Sequence, residues 1–104
     1  MTLRELLDEE ASHLPGIEPS IDDDGATTWS RGGRPFAALT ADGSALEFGL
    51  EPVVAAAAIR TPDTTPSARG AGWVRFSPTD LDEPAADRAV AWFASAHRRA
   101  GPRD

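Results

Sequence analysis

The chain has 104 residues, 40% of them hydrophobic, and a formal net charge of −7 from 17 acids and ten bases, every base an arginine. That length fits one domain, expected to span residues 1–104, and the absence of cysteine excludes disulfides, thiolate nucleophiles and cysteine-ligated metal centres. No apolar run approaches the roughly 20 residues of a membrane helix, and the charged opening MTLRELLDEE is no secretory leader, so the expected address is the cytoplasm, without membrane contact.

Charge is unevenly placed along the chain. Residues 1–24 hold one Arg and eight acids, residues 25–78 five Arg and four acids, and residues 79–104 four Arg and five acids. A sum hostile to nucleic acid thus leaves the middle of the chain faintly basic, where a polyanion meets least repulsion.

Thr2-Leu3-Arg4-Glu5 has the spacing of a capping box, and Leu3, Leu6, Leu7, Ala11 and Leu14 recur at helical intervals, predicting a helix from about Leu3 to His13. Pro15-Gly16 stops it, and IEPSIDDDGA, without periodicity, reads as a loop. Three strands follow, Ala26 to Arg31, Arg34 to Thr40 and Ser44 to Leu50, joined at Gly32-Gly33 and Asp42-Gly43. Both pairs tolerate the positive φ of tight hairpin turns. Leu46, Phe48 and Leu50 alternate with Ala45, Glu47 and Gly49, the pattern of a sheet with one buried face.

Glu51-Pro52 suits a helix start, and Val53 to Ile59 is apolar all round, predicting a short, well-buried helix. A long loop then reaches Gly72. Trp73 to Ser77 alternates as a fourth strand, whose buried face the pattern leaves open between Val74/Phe76 and Trp73/Arg75. Asp80, Asp82 and Glu83 precede a last helix with Arg98 and Arg99 at its end, matching the backbone dipole at both termini. Its expected stripe is Ala86, Ala89, Val90, Phe93 and Ala96, and Gly101-Pro102 closes it. The order predicts an α+β domain: a three-strand antiparallel meander plus a fourth strand, with N-terminal, middle and C-terminal helices on one face.

Leu14-Pro15-Gly16-Ile17-Glu18, then Gly33-Arg34-Pro35-Phe36-Ala37, then Gly72-Trp73-Val74 and a closing amphipathic helix together resemble the MmcQ/YjbR family of small bacterial proteins, over roughly residues 3–99. The resemblance implies a fold similar to the bacterial frataxin CyaY and a role as a predicted double-wing DNA-binding protein. On the matching positions, Arg34 keeps the family's basic charge in the first wing. Before the tryptophan, where many members carry basic or His/Asn residues, this chain has Arg69-Gly70-Ala71, and Arg69 alone is able to hold an anion.

Arg31, Arg34, Arg69 and Arg75 are accordingly the candidate anion-binding residues. If the fourth strand runs antiparallel to the third, Arg31, Arg34 and Arg69 emerge at one rim; if parallel, no cluster forms. Any binding is expected to be weak, since even three phosphate contacts are few and the N-terminal acids repel a polyanion, and to the phosphate backbone only, because no helix resembles a recognition helix. The same arginines also fit as solvated turn residues paired with Glu47 or Asp42. A second reading is a protein partner or homodimer docked on an open sheet face bearing Trp29 and Trp73. A third, weaker one takes Asp22-Asp23-Asp24 with Glu5, Asp8, Glu9 and Glu10 as a frataxin-like acidic metal binder, although three adjacent aspartates diverge. His13 and His97 match no metal-ligand spacing, and no nucleophile motif occurs, so neither catalysis nor a cofactor is expected.

Overall fold

Thr2 opens the first helix, α1 (Leu3–Ala11), by the reciprocal exchange its spacing predicts. Its hydroxyl accepts the Glu5 N–H at 3.1 Å while its own N–H donates to the Glu5 carboxylate at 3.0 Å. The helix ends two residues short of His13, where the Ser12 hydroxyl turns back to donate to the Glu9 carbonyl. In a computed structural model that describes residues 1–101, the later elements are β1 (Ile17–Ile21), β2 (Thr27–Arg31), β3 (Arg34–Leu39), β4 (Leu46–Gly49), α2 (Pro52–Ala58), β5 (Thr64–Pro66), β6 (Trp73–Phe76) and α3 (Glu83–Ala100). The Pro102 half of the expected stop lies outside the described residues; Gly101 is the C-cap of α3.

The six strands form one antiparallel sheet in the order β1-β2-β3-β4-β6-β5. The expected meander is β2-β3-β4, and the expected fourth strand is β6. The two strands absent from the expectation, β1 and β5, are the sheet's edges. Each lacks the usual strand pattern because only one neighbour shapes it: β1 buries no residue fully, and each contains a proline, Pro19 or Pro66, a residue tolerated at an edge but not in the middle of a sheet.

One face of the sheet is the core. Val74 and Phe76 point into it and Trp73 and Arg75 away, which resolves the ambiguity of the fourth strand. α3 lies across β2, β3 and β4, with α1 packed beside it, and all three helices reach the same apolar cluster. The buried stripe of α3 is Ala85, Ala89, Trp92, Phe93, Ala96 and His97. It is rotated from the expected one, because the bulky Trp92 and the polar His97 both turn inward. Helix α2 also differs from expectation. Only Ala55 and Ala58 are buried, and Val53 is 78% exposed, since a seven-residue helix beside β6 meets the core along one side only.

The pairing of β2 with β3 slips at Trp29/Ser30: Trp29 pairs with Ala37 and Ser30 with Pro35, so Phe36 has no residue opposite. This bulge lets Phe36 turn under α3, its ring 5.2 Å from that of Phe93.

Candidate anion-binding site

Strand direction decides which ends meet. Because β6 is antiparallel to β4, with Gly49 opposite Trp73, the Gly32-Gly33 turn, the end of β4 and the start of β6 share one rim. The arginines gathered there nonetheless leave it by different faces.

Arg31 passes to the helix face, and there it closes the C-terminus of α3. One of its terminal nitrogens (Nη1) donates to the His97 carbonyl at 3.0 Å and lies 3.3 Å from His97 Nδ1. The other ring nitrogen of His97, Nε2, lies 2.8 Å from the Pro15 carbonyl, which only accepts. Nε2 therefore carries the proton, and Nδ1 accepts from Arg31. His97 is 3% exposed, with both nitrogens committed, so it is a buried tie between Pro15, β2 and α3.

Arg69 takes the opposite face. Its Nε donates to Glu47 at 2.9 Å, and its guanidinium stands 5.5 Å from the centre of the Trp73 ring. Beneath that indole lies Gly49, where a Cβ would come within 2.9 Å of two ring carbons. The stack of Gly49, Trp73 and Arg69 is thus a packed unit. Trp29, placed with Trp73 on the open face from sequence, is 1% exposed in the core, its ring 5.6 Å from Phe93. The open sheet face therefore carries one tryptophan instead of two, and that one is already covered by an arginine.

Glu47 also accepts from the Ser67 hydroxyl. Burial alone would raise its carboxyl, but hydrogen bonds from Ser67 and Arg69 and the charges of Arg69 and Arg75 outweigh this and hold it below the ordinary glutamate value of 4.5. With the folded value depressed, the stabilisation it brings is complete above pH 4.5 and fades as pH falls below that through the folded value. Glu47→Gln should therefore destabilise at neutral pH, and the gap in urea midpoint between the two proteins should shrink as pH falls below 4.5. Arg75 is exposed opposite Glu47.

Arg34 is the remaining candidate, exposed at the rim, and its guanidinium has no hydrogen bond or ion pair among the described residues. Its register partner is Arg31, a like-charge pair of the kind that disfavours a hairpin unless another group compensates it. Beside it, a cleft of about 230 Å³ is lined by Arg34, Phe36, Gly49, Ala96, Arg99 and Ala100. Arg99 Nε is buried there without a hydrogen-bond partner among the described residues, and its nearest acid is Glu51 at 3.9 Å, too long for a hydrogen bond. A second hollow, with Arg31, Gly32 and Gly101 on its walls, shares Arg34 and Ala100 with the first.

No protein-family model and no curated protein matches this chain. The site therefore stands on its geometry. Sequence reasoning singled out Arg34 but missed Arg99, whose only sequence signal was a place at the end of the last helix. It becomes a site residue because α3 ends against the β2–β3 hairpin.

The far end of the sheet is acidic. Asp22, Asp23 and Asp24 lie in the turn from β1 to β2, Asp42 in the turn from β3 to β4, and Asp80 and Asp82 between β6 and α3. Among the described residues, no group of three or more His, Cys, Asp or Glu is arranged to hold a metal ion. Asp24 accepts the Ala26 N–H, and Asp42, which accepts from Thr40 and Ser44, is held down to about 2 by those hydrogen bonds. Much of the negative charge is thereby kept a sheet's length from Arg34 and Arg99. No helix of the described residues is long and apolar enough to cross a membrane.

Proposed function

We propose that the protein is a non-enzymatic binding protein that holds phosphate-bearing ligands at the rim formed by the β2–β3 hairpin and the end of α3. Nucleic acid is the ligand class, consistent with the resemblance to the MmcQ/YjbR family and its hairpin wing at Gly33-Arg34-Pro35-Phe36-Ala37. Support comes above all from one observation: Arg34 and Arg99 line a single cleft with no acid in its lining, and Glu51, 3.9 Å from Arg99 Nε, is the one acid within ion-pair distance of either among the described residues. Of the four arginines singled out from sequence, Arg34 is the one retained. Arg31 and Arg69 are engaged within the fold, and Arg75 stands on the other face.

Three cations, Arg34 and Arg99 of the cleft and the exposed Arg98 in the last turn of α3, set an upper scale, with Glu51 close to Arg99. Neutralising three phosphates gives a salt slope of about −2.7 on duplex DNA, meaning weak, backbone-directed binding that disappears at moderate salt. The double variant Arg34→Glu/Arg99→Glu is expected to abolish binding of a short duplex in fluorescence anisotropy at low salt. Arg75→Glu, on the opposite face, should leave it within about twofold. Equal loss from all three substitutions would mean a diffuse electrostatic effect and no site.

A further inference from the structure

We infer that the cleft between Arg34 and Arg99 takes a terminal phosphate monoester, the end of a strand and not its interior; this rests on the reading that the rim binds phosphate-bearing ligands. The floor of the cleft is core: Phe36 is 1% exposed, Ala96 is fully buried, and the Gly49 backbone supports the Trp73 ring behind it. A group that enters stops at that floor: a monoester, with one substituent, reaches it, whereas an interior phosphodiester, with a substituent on each side, is held nearer the mouth. A ligand enters by its end.

Size and charge agree with that. About 230 Å³ is below the roughly 300–1,000 Å³ of a whole small-molecule site, so the cleft receives a single group. Arg34 and Arg99 against Glu51 leave one positive charge, and Arg31, directly across the hairpin from Arg34, raises the local excess to two. A monoester above its second pKa, about 6, carries a charge near −2 and three acceptor oxygens, whereas an interior diester carries −1. Guanidinium forks match such oxygens in paired hydrogen bonds, and the Arg99 side chain, 33% exposed, is held by no hydrogen bond among the described residues. Glu51 is the opposing element. It stands at the N-cap of α2 without making a side-chain capping bond, so its carboxylate is free to compete with the phosphate for Arg99.

The test uses the full chain and two single-stranded oligonucleotides of the same sequence, one with a 5′-phosphate and one with a 5′-hydroxyl, with phenyl phosphate as a third probe. The phosphorylated strand is expected to bind about tenfold more tightly at pH 7.5, with the advantage shrinking as pH falls through about 6. Arg99→Gln should erase the advantage, and Glu51→Gln should enlarge it several-fold. Phenyl phosphate competing as well as the strand supports the assignment and identifies the free monoester as the ligand. Equal binding of the two strands, both sensitive to Arg34→Glu, would overturn the end-binding inference and leave the rim reading intact. Absence of binding by all three probes would overturn both. Thermal midpoints within a few degrees of wild type establish that each variant is folded, and Glu51→Gln, at a half-exposed position, keeps the inference open to refutation if Arg99→Gln does not fold.

Discussion

Phe93→Ala is expected to lower the unfolding free energy by about 3–5 kcal/mol. The ring is fully buried and meets two others edge-on, Trp29 at 5.6 Å and Phe36 at 5.2 Å. Removing it opens a cavity at the centre of the contact between α3 and strands β2 and β3, and also deletes two edge-to-face pairs worth roughly 0.5–1.5 kcal/mol each beyond their area. The walls cannot collapse inward, because Trp29 and Phe36 stand on hydrogen-bonded strands and their neighbours Ala37 and Ala96 are too small to fill the gap. For a domain whose total stability is about 5–15 kcal/mol, this is a fifth or more of it. Urea denaturation with an unchanged m-value checks the figure. A loss under about 1 kcal/mol would mean that α3 is not docked on this sheet. Phe93→Leu, which keeps most of the volume, is expected to cost less than about 1.5 kcal/mol.

The readable parts of the fold carried their own local signal. The β2-β3-β4 meander announced itself through Gly32-Gly33 and Asp42-Gly43 between alternating runs, and α1 through its capping box. Strands β1 and β5 had none, since IEPSI and TTP become strands only by adding to β2 and β6. The site was half legible for a related reason. Arg31 and Arg34 flank a turn and so were visible as candidates, but which face each side chain takes depends on pairing and on the bulge beside Phe36. Trp29 was misassigned to the open face through the same gap: period-two alternation says which residues share a face and not which face is covered. Arg69 and Glu47 are 22 residues apart, and their contact requires the β5–β6 connection to fold back across the sheet. Arg99 entered the site only through where α3 ends.

Gly72→Ala is expected to cost about 2–5 kcal/mol, from two separable sources. The backbone there has φ of +81°, a conformation costing an L side chain about 1–2 kcal/mol. A methyl group would also lie 2.5 Å from the Leu50 carbonyl oxygen. Relief is blocked on that side, because the Leu50 N–H donates back to the Gly72 carbonyl at 2.9 Å, Leu50 is fully buried, and Glu51 at once begins α2. Forcing the two apart strains β4 against β6, a repacking cost of about 1–3 kcal/mol. Gly33→Ala isolates the conformational part, since Gly33 has φ of +79° with nothing within 4 Å of its would-be Cβ. The difference between the two variants in urea midpoint, at equal m, then measures the steric part alone. Equal costs would mean that the Leu50 carbonyl retreats freely. A larger cost for Gly72→Ala, joined by weaker phosphate binding where the protein is still folded, ties the close approach of Gly72 and Leu50 to the setting of Gly49 and Glu51 beside Arg99.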